Sequence, residues 1–182
     1  MEYFKAAMEK DTTKLTWDSE AMMAYLNEAE EKLQEKKQAE QAEAKKEQYN
    51  ANIEEGEKYL AEYTKGEGVI VLPSGVAYKV LQPGDGITKP TTEDTVEVKY
   101  VGRLINGEEF DKSGETPISF GVTSVIPGWT QVLQEMSVGE KVEVVIPYDQ
   151  AYGENGSGGS IEPYKTLIFE VELVKVIKAE AK

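Results

Sequence analysis

The residues best suited to chemistry in this chain are apolar rings rather than ionisable groups. Tyr100, Phe110, Trp129, Tyr152 and Phe169 come from separate stretches, joined by the apolar run Val125-Ile126-Pro127. Any one of these rings could simply fill a core. Five converging in a small domain overfill it, so some of them line a concave apolar pocket, the usual form of a small-ligand site. Asp111, directly after Phe110, is the one acid that looks placed; the alternative is a turn aspartate that bonds its own backbone. The Gly-rich residues 153–160 lack the Gly-Lys-Ser/Thr of a phosphate loop and precede no helix, so they read as a flexible flap beside the pocket.

Composition removes most other chemistry. The chain of 182 residues has no histidine and no cysteine, which excludes a Ser-His-Asp triad, a Cys-His pair, disulfides and Cys/His zinc sites. No cluster of Asp and Glu has the spacing of metal ligands. A formal net charge of −14 disfavours nucleic acid and anionic membranes as partners. No run of 18 apolar residues occurs, so no membrane span is expected, and the N-terminus shows no secretory leader pattern. The absence of cysteine fits an oxidising or a reducing compartment.

Two regions must position these residues. Residues 1–65 hold no proline and only Gly56, and are rich in Ala, Glu, Lys and Gln, all good helix formers. Thr16 is the expected N-cap of one long helix over 17–64, with Asp18 and Glu20 in its first turn. Met22, Leu26, Ala29 and Leu33 make an apolar stripe near its start, beside Trp17, Met23 and Tyr25. Ile53, Tyr59, Leu60 and Tyr63 mark a second contact zone, with a polar stretch between. Glu28/Lys32 and Glu54/Lys58 are favourable i,i+4 pairs. The region is either a solvated spacer or a pairing surface for a second copy, and the Met and Trp side chains favour pairing.

Residues 66–182 hold the other 15 of the 16 glycines and all seven prolines. Their apolar residues alternate: Val76/Tyr78/Val80, Val96/Val98/Tyr100, Val142/Val144/Ile146 and Leu167/Phe169/Val171/Leu173. Such strands bury one face and wet the other in an antiparallel sheet. Asn106-Gly107 predicts a hairpin. Trp129, Val132, Leu133 and Met136 lie at helical spacing before Gly139. The fold class is α+β, a half-buried antiparallel sheet with one short helix against its apolar face, preceded by an all-α region with a long helix.

Five blocks then carry a resemblance. Val98-Lys-Tyr-Val-Gly-Arg-Leu-Ile-Asn-Gly-Glu-Glu-Phe-Asp111, Val125-Ile-Pro-Gly-Trp129, Met136-Ser-Val-Gly-Glu-Lys141, Ile146-Pro-Tyr-Asp-Gln-Ala-Tyr-Gly153 and Thr166-Leu-Ile-Phe-Glu-Val-Glu-Leu173 resemble, in order, the FKBP-type peptidyl-prolyl isomerase domain. The likeness covers about residues 68–177. The lead-in Leu72-Pro-Ser-Gly-Val-Ala-Tyr-Lys-Val80 behind a long charged helix is similar to the bacterial macrophage-infectivity-potentiator-like subgroup.

The resemblance implies a sheet curved around one helix, with Trp129 as the pocket floor and Tyr100, Phe110, Val125, Ile126 and Phe169 as walls. It implies that Tyr152 donates a hydrogen bond to a substrate or macrolide carbonyl. Asp111 would be a buried polar partner of the twisted amide, Ile161 would lie in the flap, and the Ile126 amide would hold the peptide backbone. It further implies a homodimer through the N-terminal helices, a periplasmic or cell-surface location, and proline-containing peptides or partly folded clients as substrates. Macrolides of the tacrolimus or rapamycin type become possible inhibitors, and no cofactor or metal is required. Two features depart from the family pattern. Glu162 and Tyr164 replace a Pro and a His or Asn in the flap, and the loop between Asp111 and Phe120 has no arginine. The expected division is therefore a helical dimerisation or stalk region, 1–65, and an isomerase domain, 66–182. The expected function is peptidyl-prolyl cis-trans isomerisation assisting folding; the alternative is a non-catalytic chaperone or adaptor for proline-containing segments.

Overall fold

A computed structural model describes residues 19–179, with side chains from residue 23. The expected cap at Thr16, together with Trp17 and Asp18 and the side chains of Glu20 and Met22, lies outside the described residues. By contacts the chain divides into two compact units, residues 1–44 and 45–182.

The first described element is helix α1, Ser19–Gln48. Met23, Leu26 and Leu33 are exposed on it. The expected Glu28–Lys32 pair forms, at 2.5 Å. A second helix, α2, covers Asn50–Tyr63. The single helix expected over 17–64 is thus interrupted, and at Tyr49 rather than Gly56. Tyr49 leaves helical geometry at φ −105°, ψ 18°, where its ring packs against Tyr164, centroids 6.5 Å apart. Glu54 accepts a hydrogen bond from Asn50 Nδ2 at 2.6 Å.

Seven antiparallel strands follow: β1 Val69–Val71, β2 Ala77–Gln82, β3 Thr95–Leu104, β4 Glu109–Lys112, β5 Ile118–Gly121, β6 Lys141–Ile146 and β7 Leu167–Ile177. The sheet order is β1-β2-β6-β7-β3-β4, with β5 paired to the first half of β3. All four alternating stretches are strands, as their period predicts. Asn106-Gly107 closes the β3–β4 hairpin: Gly107 takes φ +86°, which glycine adopts without steric cost, and the Asn106 side chain accepts the Glu108 amide at 2.9 Å.

Helix α3, Pro127–Glu135, buries Trp129, Val132 and Leu133 against the sheet. Proline suits its first turn, where an amide would lack an intrahelical partner anyway. Val96, Val98, Val142, Val144, Leu167, Phe169, Val171 and Leu173 supply the sheet side of the core. At roughly 1.5–3 kcal/mol per fully buried large apolar side chain, this cluster is the main source of stability. One-sided burial fails at β6, where Val145 and its register partner Ala77 are also fully buried, outside that cluster. The α2 helix reaches the sheet nearby: the Tyr63 hydroxyl donates to the Glu143 carbonyl at 3.2 Å, and Ile53 is buried.

Candidate functional site

The aromatic residues from separate strands meet around Trp129, which α3 holds only 5% exposed. Its ring makes edge contacts with Tyr100 of β3 (5.1 Å, 85°) and Phe169 of β7 (5.3 Å, 86°). Phe110, on edge strand β4, stands edge-on to Phe169 at 5.5 Å. Each such pair adds about 0.5–1.5 kcal/mol beyond its buried area. The register explains the convergence, because Gly102 of β3 lies opposite Phe169 and Asp111. A Cβ at Gly102 would come within 2.7 Å of Phe110 Cζ and 2.8 Å of Phe169 Cε1. Only glycine leaves room for the two rings.

Trp129 and Phe169 are buried, while Tyr100, Phe110, Val125 and Ile126 are half-buried and pack against the same cluster. The result is a buried aromatic base with an accessible apolar surround. The Trp129 Nε1–H is buried without a hydrogen-bond partner among the described residues. Ile161 is buried in the cluster, and its amide and carbonyl both bond Ser157, at 3.0 and 2.9 Å. This closes residues 157–161 into a tight loop.

The polar groups are arranged differently from expectation. Asp111 is exposed, not buried. It sits on edge strand β4, where it accepts the Tyr100 hydroxyl at 2.8 Å and its Oδ1 accepts the Lys112 amide at 2.8 Å. Burial, reinforced by the Asp111 carboxylate, pushes the Tyr100 hydroxyl well above its ordinary range. Tyr152 is 38% exposed and outside the apolar cluster. Its hydroxyl is also pushed up, by burial and then by Asp111, so both phenols are kept as protonated donors at neutral pH.

One ring escaped the sequence reading. Phe120 of β5 packs on Tyr100 (6.2 Å) and Trp129 (6.1 Å). Its alternation with Ile118 before Gly121 was the available signal, but two alternating residues are too few to reveal a strand. In the flap, Glu162 is exposed, whereas Tyr164 is buried at φ +62°. That left-handed backbone is an outlier for a bulky ring. Tyr164 is held there by Tyr148, 5.2 Å away, and by Tyr49.

Among the described residues, no group of three or more Asp or Glu is placed to hold a metal ion. No described helix is long and apolar enough to cross a membrane.

Two family descriptions match the chain: "FKBP-type peptidyl-prolyl cis-trans isomerase" over residues 86–174 and "Domain amino terminal to FKBP-type peptidyl-prolyl isomerase" over residues 1–80. The FKBP-type 22 kDa peptidyl-prolyl cis-trans isomerase of Escherichia coli is 46% identical over 136 residues, 73% of this chain and 65% of that protein. The outer membrane protein MIP of Legionella longbeachae is 45% identical over 139 residues, 72% and 59% of the two chains. The chain thus spans less than two thirds of the length of these curated relatives. Among solved structures, a peptidyl-prolyl cis-trans isomerase from Pseudomonas syringae aligns with TM-score 0.67 and 42% identity, over 71% of this chain and 96% of that one. FkpA from Escherichia coli aligns with TM-score 0.70 and 32% identity, over 98% and 91%.

Proposed function

Because the chain belongs to the family of FKBP-type peptidyl-prolyl cis-trans isomerases, we propose that it catalyses rotation about X–Pro bonds and so assists protein folding. The observation that carries this reading is the half-buried surround of Tyr100, Phe110, Val125 and Ile126 over the buried Trp129. Rotation must cross a barrier of about 18–20 kcal/mol set by amide resonance, and it breaks no covalent bond. Twisting the amide removes resonance and localises the lone pair on nitrogen, so the bond becomes less polar. An apolar aromatic pocket that fits the twisted form better than either planar isomer lowers the barrier by differential binding. No general acid or base is needed, and a chain without histidine or cysteine loses nothing by their absence.

In this reading Trp129 is the floor on which the proline ring rests, and Tyr100, Phe110, Val125, Ile126 and Phe169 are the walls, joined by Phe120. The Tyr152 hydroxyl donates to a substrate carbonyl, and the Ile126 amide holds the peptide backbone. Asp111 acts at the mouth of the pocket through its bond to Tyr100. Ile161 closes the flap side. Substrates are proline-containing segments of unfolded or partly folded clients, and macrolides of the tacrolimus or rapamycin type compete for the same surround.

We infer a division of labour between a pairing stalk, residues 1–65, and an isomerase region, residues 66–182. Exposed Met23, Leu26 and Leu33 on α1 support pairing with a second copy, and sedimentation of Leu26→Glu against the unchanged chain tests it. A periplasmic or cell-surface location draws support from the relative named as an outer membrane protein.

The deciding experiment is exchange NMR of an X–Pro peptide with the full chain, Phe110→Ala and Asp111→Leu. Acceleration that the substitutions reduce supports the isomerase. Peptide binding without acceleration refutes it and leaves a binding module.

A further inference from the structure

We propose that helix α2 braces the flap of the isomerase pocket, with Asn52 as the positioning residue that transmits the support. The flap, residues 153–166, is Gly-rich and contains one isolated bridge, Ser157–Ile161. Such a loop has little rigidity of its own, since few backbone bonds resist its opening. It nevertheless carries Ile161, which is buried among the pocket residues.

Residues 45–56 supply a set of anchors along it. Asn52 Nδ2 donates to the Pro163 carbonyl at 3.0 Å and reaches Glu162 Oε2 at 3.4 Å. Lys45 Nζ donates to Asn155 Oδ1 at 2.8 Å. Lys165, mostly buried, pairs with Glu55 at 3.2 Å. The Tyr164 ring packs on Tyr49 and Tyr148. Gly56 lies so close to the flap's end that a Cβ there would meet Thr166 Oγ1 at 2.2 Å.

Among these groups Asn52 is the half-buried polar side chain that bonds flap backbone, two residues from Ile161. A main-chain anchor at Pro163 fixes where Ile161 can sit. The ion pairs around it are partly exposed, and exposed pairs hold less firmly. Losing the Asn52 donor lets the flap sample open positions and weakens the fit of the pocket to the twisted amide. The polar face of a helix that composition assigns to the stalk thereby becomes part of the site.

The inference rests on the isomerase reading for its activity measurement, and the test separates the two. Full-length protein is compared with Asn52→Asp, Asn52→Ala and Asn52→Gln, by amide hydrogen exchange and by kcat/KM on an X–Pro peptide. Asn52→Asp keeps the size of the side chain but removes the donor and places a charge beside Glu162. We expect exchange at Ile161 to quicken about tenfold and kcat/KM to fall about three- to tenfold in Asn52→Asp and Asn52→Ala. Asn52→Gln, which keeps an amide donor, recovers both to within about threefold, and the amides of β7 stay protected in all variants. Three results overturn the proposal: unchanged exchange at Ile161, faster exchange with unchanged kcat/KM, or loss of protection throughout β7, which marks general destabilisation. If the unsubstituted chain shows no turnover, the isomerase reading fails. Exchange at Ile161 in Asn52→Asp then decides the brace by itself.

Discussion

The Tyr100 hydroxyl donates to Asp111 Oδ2 at 2.8 Å, so a ring of the pocket is tied to a carboxylate exposed on the edge strand beside it. The bond joins β3 to β4 next to their register shift at Gly102 and Arg103. In the proposed function Asp111 acts on the site through this bond to Tyr100, without being buried. Tyr100→Phe keeps the ring contacts and removes this tie. Its kcat/KM should fall about three- to tenfold, the scale of one hydrogen bond to a charged group at a partly exposed site. An unchanged value by exchange NMR would show the tie to be decorative.

Catalysis should be nearly independent of pH from about 6 to 9. The chain has no histidine, and the Tyr100 and Tyr152 hydroxyls are held above the ordinary phenol value of about 10. The fold favours their protonated form, so that contribution is complete below about 10 and is lost only as pH rises toward the folded value. A bell-shaped profile centred near neutrality would contradict the mechanism.

Gly102→Ala should damage site and stability together. Its Cβ would press into Phe110 and Phe169 at 2.7 and 2.8 Å, and both rings are fixed by their neighbours. Overpacking of this kind costs about 1–3 kcal/mol, about 2–12 °C in Tm for a chain of this size. Calorimetry and kcat/KM should fall together, with at least a tenfold loss of turnover (about 1.4 kcal/mol). A stable, active Gly102→Ala protein would mean that the rings are free to move.

Gly56→Ala sets two principles against each other. Helix propensity alone predicts a gain of about 1 kcal/mol. The contact with Thr166, whose Cβ lies 3.0 Å from the new methyl group, predicts a loss, because a buried β-branched side chain has little freedom to turn away. We expect Tm to fall. A rise would show that α2 does not press tightly on Thr166.

Asp94 is a folding group rather than a catalytic one. It is buried and accepts Lys178 Nζ at 2.8 Å, the Thr91 amide and hydroxyl at 2.7 and 2.8 Å, and the Ala179 amide at 3.0 Å. Lys178 foremost, then the Thr91 amide, holds its carboxyl far below the usual range. A depressed folded value means a contribution present above the unfolded value of about 3.9 and lost as pH falls toward the folded one. Denaturant melts of the unsubstituted chain and Asp94→Asn should therefore differ most near neutrality and converge below about pH 4. A constant gap would remove Asp94 from the acid response.

What the sequence determined by itself is whatever a local pattern can encode. Period-two alternation marks β2, β3, β6 and β7, Asn106-Gly107 closes a hairpin, and the Trp129 spacing gives α3, because each depends on residues a few positions apart. Missing residue types also need no structure: without histidine or cysteine, whole classes of catalysis are excluded. Only tertiary structure decided that Asp111 faces solvent, that Phe120 joins the aromatic cluster, and that Val145 is buried on the second face of its strand. The helix break at Tyr49 and the grip of Asn52 on Pro163 belong with these. Each depends on partners far away in the chain, in the last case 111 residues, and helical composition from Asn50 to Tyr63 is the same whether that face meets water or the flap. Periodicity reports which face of an element is apolar. It does not report which backbone carbonyl a polar side chain will find once the faces are packed.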